Sequence, residues 1–195
     1  MTKKILITGA NGQLGHEMRN ALKGNNRFEC IFTDVAELDI CNAEAVKQII
    51  ADNHIDYIVN CAAYTQVDKA EDNAELCKKI NTDAVENLAR AAADYGARMI
   101  HISTDYVFNG RGYRPYTEDM VPDPQSVYGS TKLEGEKILT DICPESIIIR
   151  TAWLYSPYGN NFVKTMLHLG EEREELSVVA DQIGTPTCAA DLAQA

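Results

Sequence analysis

Ile5-Leu6-Ile7-Thr8-Gly9-Ala10-Asn11-Gly12-Gln13-Leu14-Gly15 stands almost at the start of the chain and decides how the rest is read. A β-branched run leads into three glycines spaced GxxGxxG, and a helical pattern begins among them. Glycine at such places lets the backbone turn sharply, approach a pyrophosphate closely and pack a helix on a strand. The helix N-terminus presents NH groups and a partial positive charge. The implied ligand is a dinucleotide, cradled by Gly9, Asn11, Gly12, Gln13, Leu14 and Gly15. Three glycines alone would equally make a tight turn; the strand before and the helix after favour the cradle.

Outward from this stretch, short apolar runs at 5–7, 28–32, 57–59, 99–102, 147–149 and 176–179 alternate with segments of helical period. Leu14, Met18, Ala21 and Leu22 share one helical face, as do Val46, Ile49 and Ile50, and as do Leu76, Ile80, Ala84 and Leu88. The alternation predicts an α/β protein: a doubly wound parallel sheet of the Rossmann type, with helices on both faces and ligands beyond the carboxyl ends of the strands. Asp34 closes the second strand, 19 residues past Gly15. There it could hydrogen-bond an adenosine ribose 2′-OH, favouring NAD over NADP, or simply cap a turn. Asp39 and Ile40 could flank adenine or form the N-cap region of a helix at Ala43. The Gly- and Pro-rich segment 110–124 reads as a loop into a helix starting near Ser126, and a further helix is expected at about 161–170.

A chain of 195 residues holds one domain with at most a partial second. We expect a dinucleotide-binding domain over 1–155 and the start of a substrate-binding region over 156–195. With 18 Lys and Arg against 29 Asp and Glu, the net charge of −11 would repel a nucleic-acid backbone or an anionic membrane. Any anion must therefore be held locally. No apolar stretch approaches the roughly 20 residues of a membrane span, and the N-terminus lacks the apolar core of a signal peptide, so a cytoplasmic location is expected. The six cysteines show no CxxC and no clustered histidines, and read as small buried hydrophobes. The abrupt finish at Asp191-Leu192-Ala193-Gln194-Ala195 suggests truncation.

The fourth strand candidate runs into Ser103-Thr104-Asp105, and downstream stands Tyr128-Gly129-Ser130-Thr131-Lys132. At i and i+4 on a helix, the Tyr128 phenol and the Lys132 ammonium point the same way. A nearby cation favours phenolate, and moving a tyrosine pKa from about 10 to about 7 takes roughly 4 kcal/mol. A phenol so tuned can give its proton to a carbonyl that is receiving hydride. YxxxK alone would equally be an exposed helix with an ordinary aromatic.

In this order, the glycine-rich turn, the hydroxyl-bearing strand end and the tyrosine–lysine pair resemble the short-chain dehydrogenase/reductase superfamily. GxxGxxG resembles its extended branch, which acts mostly on nucleotide-linked sugars. Asn60-Cys61-Ala62-Ala63-Tyr64-Thr65, Ser103-Thr104-Asp105-Tyr106-Val107-Phe108, Arg150-Thr151-Ala152-Trp153-Leu154-Tyr155 and Asp181-Gln182-Ile183-Gly184-Thr185-Pro186-Thr187 together resemble the dTDP-4-dehydrorhamnose reductase family along the whole chain.

The resemblance implies that Thr104 polarises a C4 ketone and that Tyr128 donates the proton. Lys132 holds the nicotinamide ribose and lowers the Tyr128 pKa, and NADH or NADPH supplies hydride. It further implies that Ala62, Ala63 and Tyr64 line the cofactor, together with Asn81, a structural or proton-relay asparagine in a helix associated with the fourth strand; a helix-surface amide is the alternative. Thr65, Val67, Asp105, Tyr106 and Trp153 would face the sugar, although Trp153, the only tryptophan, could be ordinary core. Related dehydratases carry an acid where Tyr106 stands, which speaks against dehydration.

Some members bind magnesium at a dimer contact. Glu17 and Asp191 are available here but Ala190 replaces a required acid, so magnesium is doubtful and a homodimer is left open. Family members continue well past the equivalent of Ala195, implying that most of the substrate lobe is missing and that the chain alone has little or no activity. The alternatives are another nucleotide-sugar 4-keto reductase or epimerase, and a non-catalytic dinucleotide-binding regulatory relative.

Overall fold

The computed structural model describes residues 2–195. Five strands, β1 (Lys3–Thr8), β2 (Phe28–Thr33), β3 (Tyr57–Asn60), β4 (Arg98–Thr104) and β5 (Ile147–Thr151), form one parallel sheet in the order β2-β1-β3-β4-β5. Parallel strands covered on both faces read as unbroken apolar runs, which is why Ile5-Leu6-Ile7 shows no alternation. The order reverses between β1 and β3, where a crevice opens beyond their carboxyl ends. In register, Thr8 lies beside Asn60, Asn60 beside His101, and Thr104 beside Thr151. The strand ends thus bring five polar side chains to one edge.

On one face of the sheet, α2 (Ala43–Asn53) and α5 (Ala84–Tyr95) bury Val46, Ile50, Val85 and Leu88 against Leu6, Ile58 and Met99. On the other, α1 (Gln13–Ala21) sets Met18 against Ile5, Ile7 and Val59. Each such fully buried side chain contributes about 1.5–3 kcal/mol. Asn42 caps α2 by accepting from the Ala45 amide, so Asp39 and Ile40 do not form the N-cap itself. The helix α6 (Val127–Ile142) starts after Ser126, whose hydroxyl accepts from the Gly129 amide. All six cysteines are free thiols, Cys77 buried and the others half-buried.

Two expectations are corrected. Residues 176–179 form no strand, although their composition is strand-like. A strand needs a hydrogen-bonded neighbour as well as β-branched residues, and here Val178 and Val179 stay exposed. The short parallel pair β6 (Leu154–Tyr155) and β7 (Thr187–Cys188) forms instead, flanking α7 (Phe162–Glu172), and α8 (Ala189–Gln194) packs against α1.

The second correction concerns the stripe Leu76, Ile80, Ala84, Leu88. After α3 (Val67–Asp72) and α4 (Ala74–Lys78), the chain passes through a π-helical turn, Lys79–Asp83, before α5. Its extra residue shifts the helical phase. Ala84 and Leu88 are buried as expected, but Cys77, Asn81 and Val85 also face inward, while Ile80 is half-buried and Leu76 is turned to solvent.

The helix α6 can come this close only because of its glycines. A Cβ on Gly135 would lie 2.3 Å from the Asn81 carbonyl oxygen. Gly135→Ala is expected to cost about 1–3 kcal/mol by overpacking. Gly170→Ala in α7, whose new methyl meets nothing within 4 Å, should be neutral or add up to about 1 kcal/mol. Urea midpoints measure both; equal midpoints would contradict the close packing of α6.

Candidate active site

The turn after β1 is built from close backbone approaches. Gly9 has φ +66°, and a Cβ there would lie 2.6 Å from the Ala62 nitrogen; a Cβ on Gly15 would lie 2.4 Å from the Gly9 oxygen. The Gly12 amide donates to the Gly9 carbonyl. At its N-terminus α1 carries no side-chain cap and no acid in the first turn. Its amides and partial positive charge are therefore available to an anion. Leu14 is buried beneath the turn. The Gln13 side chain reaches the later chain, accepting from Asn161 Nδ2 at 2.9 Å.

Asp34 braces this turn. Its Oδ2 accepts from the Asn11 amide and its Oδ1 from the Val35 amide, both at 2.9 Å. The turn-capping alternative is thus realised, and each carboxylate oxygen keeps a further lone pair for another donor. Asp39 likewise accepts from the Cys41 amide, while Ile40 is buried in the core.

Asn81 is buried in the π-helical turn between β3 and β4, which corrects its expected association with the fourth strand. Its Oδ1 accepts from the Tyr64 amide at 2.9 Å and its Nδ2 donates to the Tyr64 carbonyl at 3.1 Å. Both hydrogen-bonding groups of one peptide position are held by one amide side chain. The segment Ala62-Ala63-Tyr64 beside the Gly9 turn is fixed by this clamp, and Asn81 acts on it through the backbone.

Tyr128, in the first turn of α6, is buried against Ala70 and Cys77, with Tyr64 and Val67 packed alongside. Tyr106, in the 3₁₀ turn Asp105–Val107, meets it edge-on with ring centroids 5.5 Å apart. A Cβ on Gly129 would strike the Tyr106 carbonyl oxygen, so this glycine brings the phenol to the end of β4. The Thr104 hydroxyl there accepts from the Tyr106 amide and donates to Asp105 Oδ1. Thr65 is exposed. Trp153, at φ +48°, lies apart from this cluster and lines a groove of about 470 Å³ with Leu154, Phe162 and Val179.

The electrostatics differ from the sequence expectation. Burial pushes the Tyr128 phenol up to about 12, with the Thr104 hydroxyl pulling the other way. Lys132 Nζ does not lie on the phenol. It donates to the Ile102 carbonyl at 2.7 Å and meets His101 Nε2 at 3.2 Å. Burial lowers Lys132 to about 8. The lysine therefore does not depress the phenol in this arrangement, because its ammonium is turned to the β4 backbone. Burial also raises the Asp105 carboxyl and the Tyr106 phenol.

Two residues that matter here escaped the sequence reading, Asn60 and His101. Asn60 accepts from the Thr8 hydroxyl at 2.7 Å and the Ala62 amide at 3.1 Å, and its Nδ2 lies 3.1 Å from His101 Nδ1. The signal was a histidine inside the apolar run Met99-Ile100-His101-Ile102, where only a buried partner makes such a residue tolerable.

Among the described residues no group of three or more His, Cys, Asp or Glu could hold a metal ion. Glu17, nearly buried, is engaged by Asn20, and Ala190 offers no ligand, so a magnesium site does not fit. No helix among the described residues is long and apolar enough to cross a membrane.

A parallel sheet with a glycine cradle at its switch point and a tyrosine–lysine helix beside it defines a Rossmann-type scaffold of the short-chain dehydrogenase/reductase kind. A family model described as the RmlD substrate binding domain matches residues 3–195, and the chain belongs to that family. It is 46% identical over 190 residues to the dTDP-4-dehydrorhamnose reductase of Aggregatibacter actinomycetemcomitans, covering 97% of this chain and 65% of that protein. With the Escherichia coli (strain K12) enzyme of the same name the identity is 48%, covering 97% and 64%.

Among solved structures, a dTDP-4-dehydrorhamnose reductase from Clostridium acetobutylicum superposes with TM-score 0.94 at 53% identity, covering 97% of this chain and 67% of that one. One from Bacillus anthracis, in complex with NADP, superposes with TM-score 0.95 at 45% identity, covering 99% and 68%. The chain thus spans just under two thirds of the length of those two curated relatives.

The Asn81 clamp is directly testable. Asn81→Ala leaves the part-buried N–H and C=O of Tyr64 without their partner and is expected to cost about 1–3 kcal/mol for each group that water does not reach. Amide hydrogen exchange at Tyr64 should accelerate at least tenfold, and unchanged exchange would refute the clamp.

Proposed function

We propose that this chain supplies the dinucleotide site and the proton donor for NAD(P)H-dependent reduction of the C4 ketone of dTDP-4-dehydro-L-rhamnose to dTDP-L-rhamnose. The observation that carries the reading is the placement of the Gly9 cradle after β1 and the Tyr128 phenol at the end of β4, on the same carboxyl edge of the sheet with β3 between them. The similarity to relatives of that name supports the substrate, and the NADP complex of one of them supports the cofactor class. In this reading 1–155 is the dinucleotide-binding domain and 156–195 begins the substrate-binding region.

The cradle fits a dinucleotide on its own terms. The close approaches at Gly9 and Gly15 leave no room for side chains, and the uncapped start of α1 offers amides to a pyrophosphate. Asp34 stands at the end of β2 as a candidate for the ribose hydroxyls. When bound, reduced nicotinamide supplies hydride to the ketone carbon. Tyr128 gives its hydroxyl proton to the ketone oxygen as that oxygen gains charge, and the Thr104 hydroxyl, turned from Asp105, donates a hydrogen bond to the same oxygen. Val67, Asp105 and Tyr106 stand beside the phenol as candidate sugar contacts, with Thr65 and Trp153 the further candidates.

A phenol near 12 is a poor donor at neutral pH; bringing it to about 7 takes on the order of 7 kcal/mol. A cationic Lys132 swung from the Ile102 carbonyl toward the phenol supplies part of this, and it is placed to hold the nicotinamide ribose as it does so. The helix-borne pair therefore works as a unit.

In a protein extended to the full length of its relatives, Tyr128→Phe should lower kcat by about 10²–10⁴ in an NADPH-absorbance assay with dTDP-4-dehydro-L-rhamnose, while NADPH fluorescence titration shows an unchanged Kd. Full turnover by the variant would refute the assignment. A pH profile adds an independent check. The Lys132 cation is present below about 8 and lost above it. In the free enzyme kcat/KM should therefore fall as pH rises through about 8, approaching tenfold per unit. A profile flat to pH 10 would contradict a role for that cation.

A further inference from the structure

Behind Lys132 the hydrogen-bond directions can be followed atom by atom. The Ala62 amide can only donate, so the Asn60 atom it meets at 3.1 Å is Oδ1. That fixes the Asn60 side chain, whose Nδ2 must donate to its neighbour 3.1 Å away, His101 Nδ1. Burial keeps His101 well below its ordinary pKa, so the ring is neutral. A neutral ring whose Nδ1 accepts carries its proton on Nε2. Nε2 faces Lys132 Nζ at 3.2 Å. Two donors cannot share that contact, so Nζ must present a lone pair, and a lysine has one only as the neutral amine. The amine still has hydrogens to give, and one goes to the Ile102 carbonyl at 2.7 Å.

We propose that at alkaline pH Asn60, His101 and Lys132 form a buried one-way hydrogen-bond chain that holds Lys132 as a neutral amine docked on the Ile102 carbonyl in the cofactor-free protein. His101 acts as the positioning residue. The surroundings agree. Lys132 is buried, and the groups facing it are the Cys61 thiol after β3, the Cys77 thiol of α4, His101 of β4 and Glu136 one turn along α6. Burial holds the Cys61 thiol up at about 12, so it is uncharged. Glu136 is the one carboxylate among them, and Arg150 occupies it through Nε at 3.0 Å and a second guanidinium nitrogen at 2.6 Å. No free anion competes to keep the ammonium charged.

The lysine must then gain a proton from solvent and turn away from Ile102 before it can serve Tyr128; this last step alone rests on the function proposed above. Three measurements test the chain. Long-range ¹H–¹⁵N spectra of the cofactor-free protein should show His101 as the Nε2–H tautomer with Nδ1 bare; an Nδ1–H tautomer or an imidazolium overturns the proposal. In His101→Phe the donor that stabilises the neutral amine is gone, so the Lys132 Cε resonance should titrate about one unit higher than in the parent protein. No change, or a lower value, contradicts it. His101→Gln, which retains an N–H donor, should restore part of the difference.

Calorimetry of NADPH binding at pH 9, in buffers of different ionisation heat, should report uptake of close to one proton per site, falling toward none at pH 6.5. Binding without uptake at pH 9 refutes the neutral amine. Failure of NADPH to bind refutes the dinucleotide reading instead, and the tautomer still decides the hydrogen-bond chain.

Discussion

The closeness of α6 to the carboxyl ends of the strands is the constraint on which the site depends. Gly129 touches the backbone at Tyr106 and Gly135 touches it at Asn81. Any side chain at either position would lift the helix, and with it Tyr128 and Lys132. Contact this tight excludes water, and a buried ammonium without water is costly. The protein answers with the Ile102 carbonyl, which accepts from Nζ, and with the His101 Nε2–H, which favours the neutral amine over the ammonium. The same tightness raises the Tyr128 phenol. Packing and proton chemistry are therefore one problem here, since the shape that orders the pair also sets the charge each member carries.

A second constraint is the protein's charge. With a net charge of −11, the surface as a whole repels an anion, so affinity for a pyrophosphate must come from short-range backbone amides. The cradle after β1 provides them, with Asp34 spending its carboxylate on the Asn11 and Val35 amides to hold the loop open rather than on a cation. Asn81 does the corresponding work on the other side of the crevice, through the backbone of Tyr64. Both polar side chains shape backbone first.

Much of this fold could be read in advance, because its signals are local. Five of six strand candidates and the helices at Gln13, Val127 and Phe162 follow from period and caps. The misread parts are those decided by distant contacts. Residues 176–179 have the composition of a strand and no neighbour to pair with. The π-helical turn at Lys79–Asp83 adds one residue to a helix, and so moves Leu76 out and Asn81 in, which no 3.6-residue template registers. At the site, Thr104, Tyr128 and Lys132 were visible as types at telling spacings. The lysine's actual partners were not, since His101 meets it from β4 and is itself held by Asn60 only through the parallel register of β3 and β4.

The account stands most directly on where the lysine and the phenol go when the dinucleotide arrives. A crystal structure of the protein soaked with NADPH should place the pyrophosphate against the amides at the start of α1 and the nicotinamide beside Tyr128, with Lys132 Nζ withdrawn from the Ile102 carbonyl to the ribose hydroxyls. A nicotinamide lying away from Tyr128, or a lysine still docked on Ile102 with the cofactor in place, would contradict it.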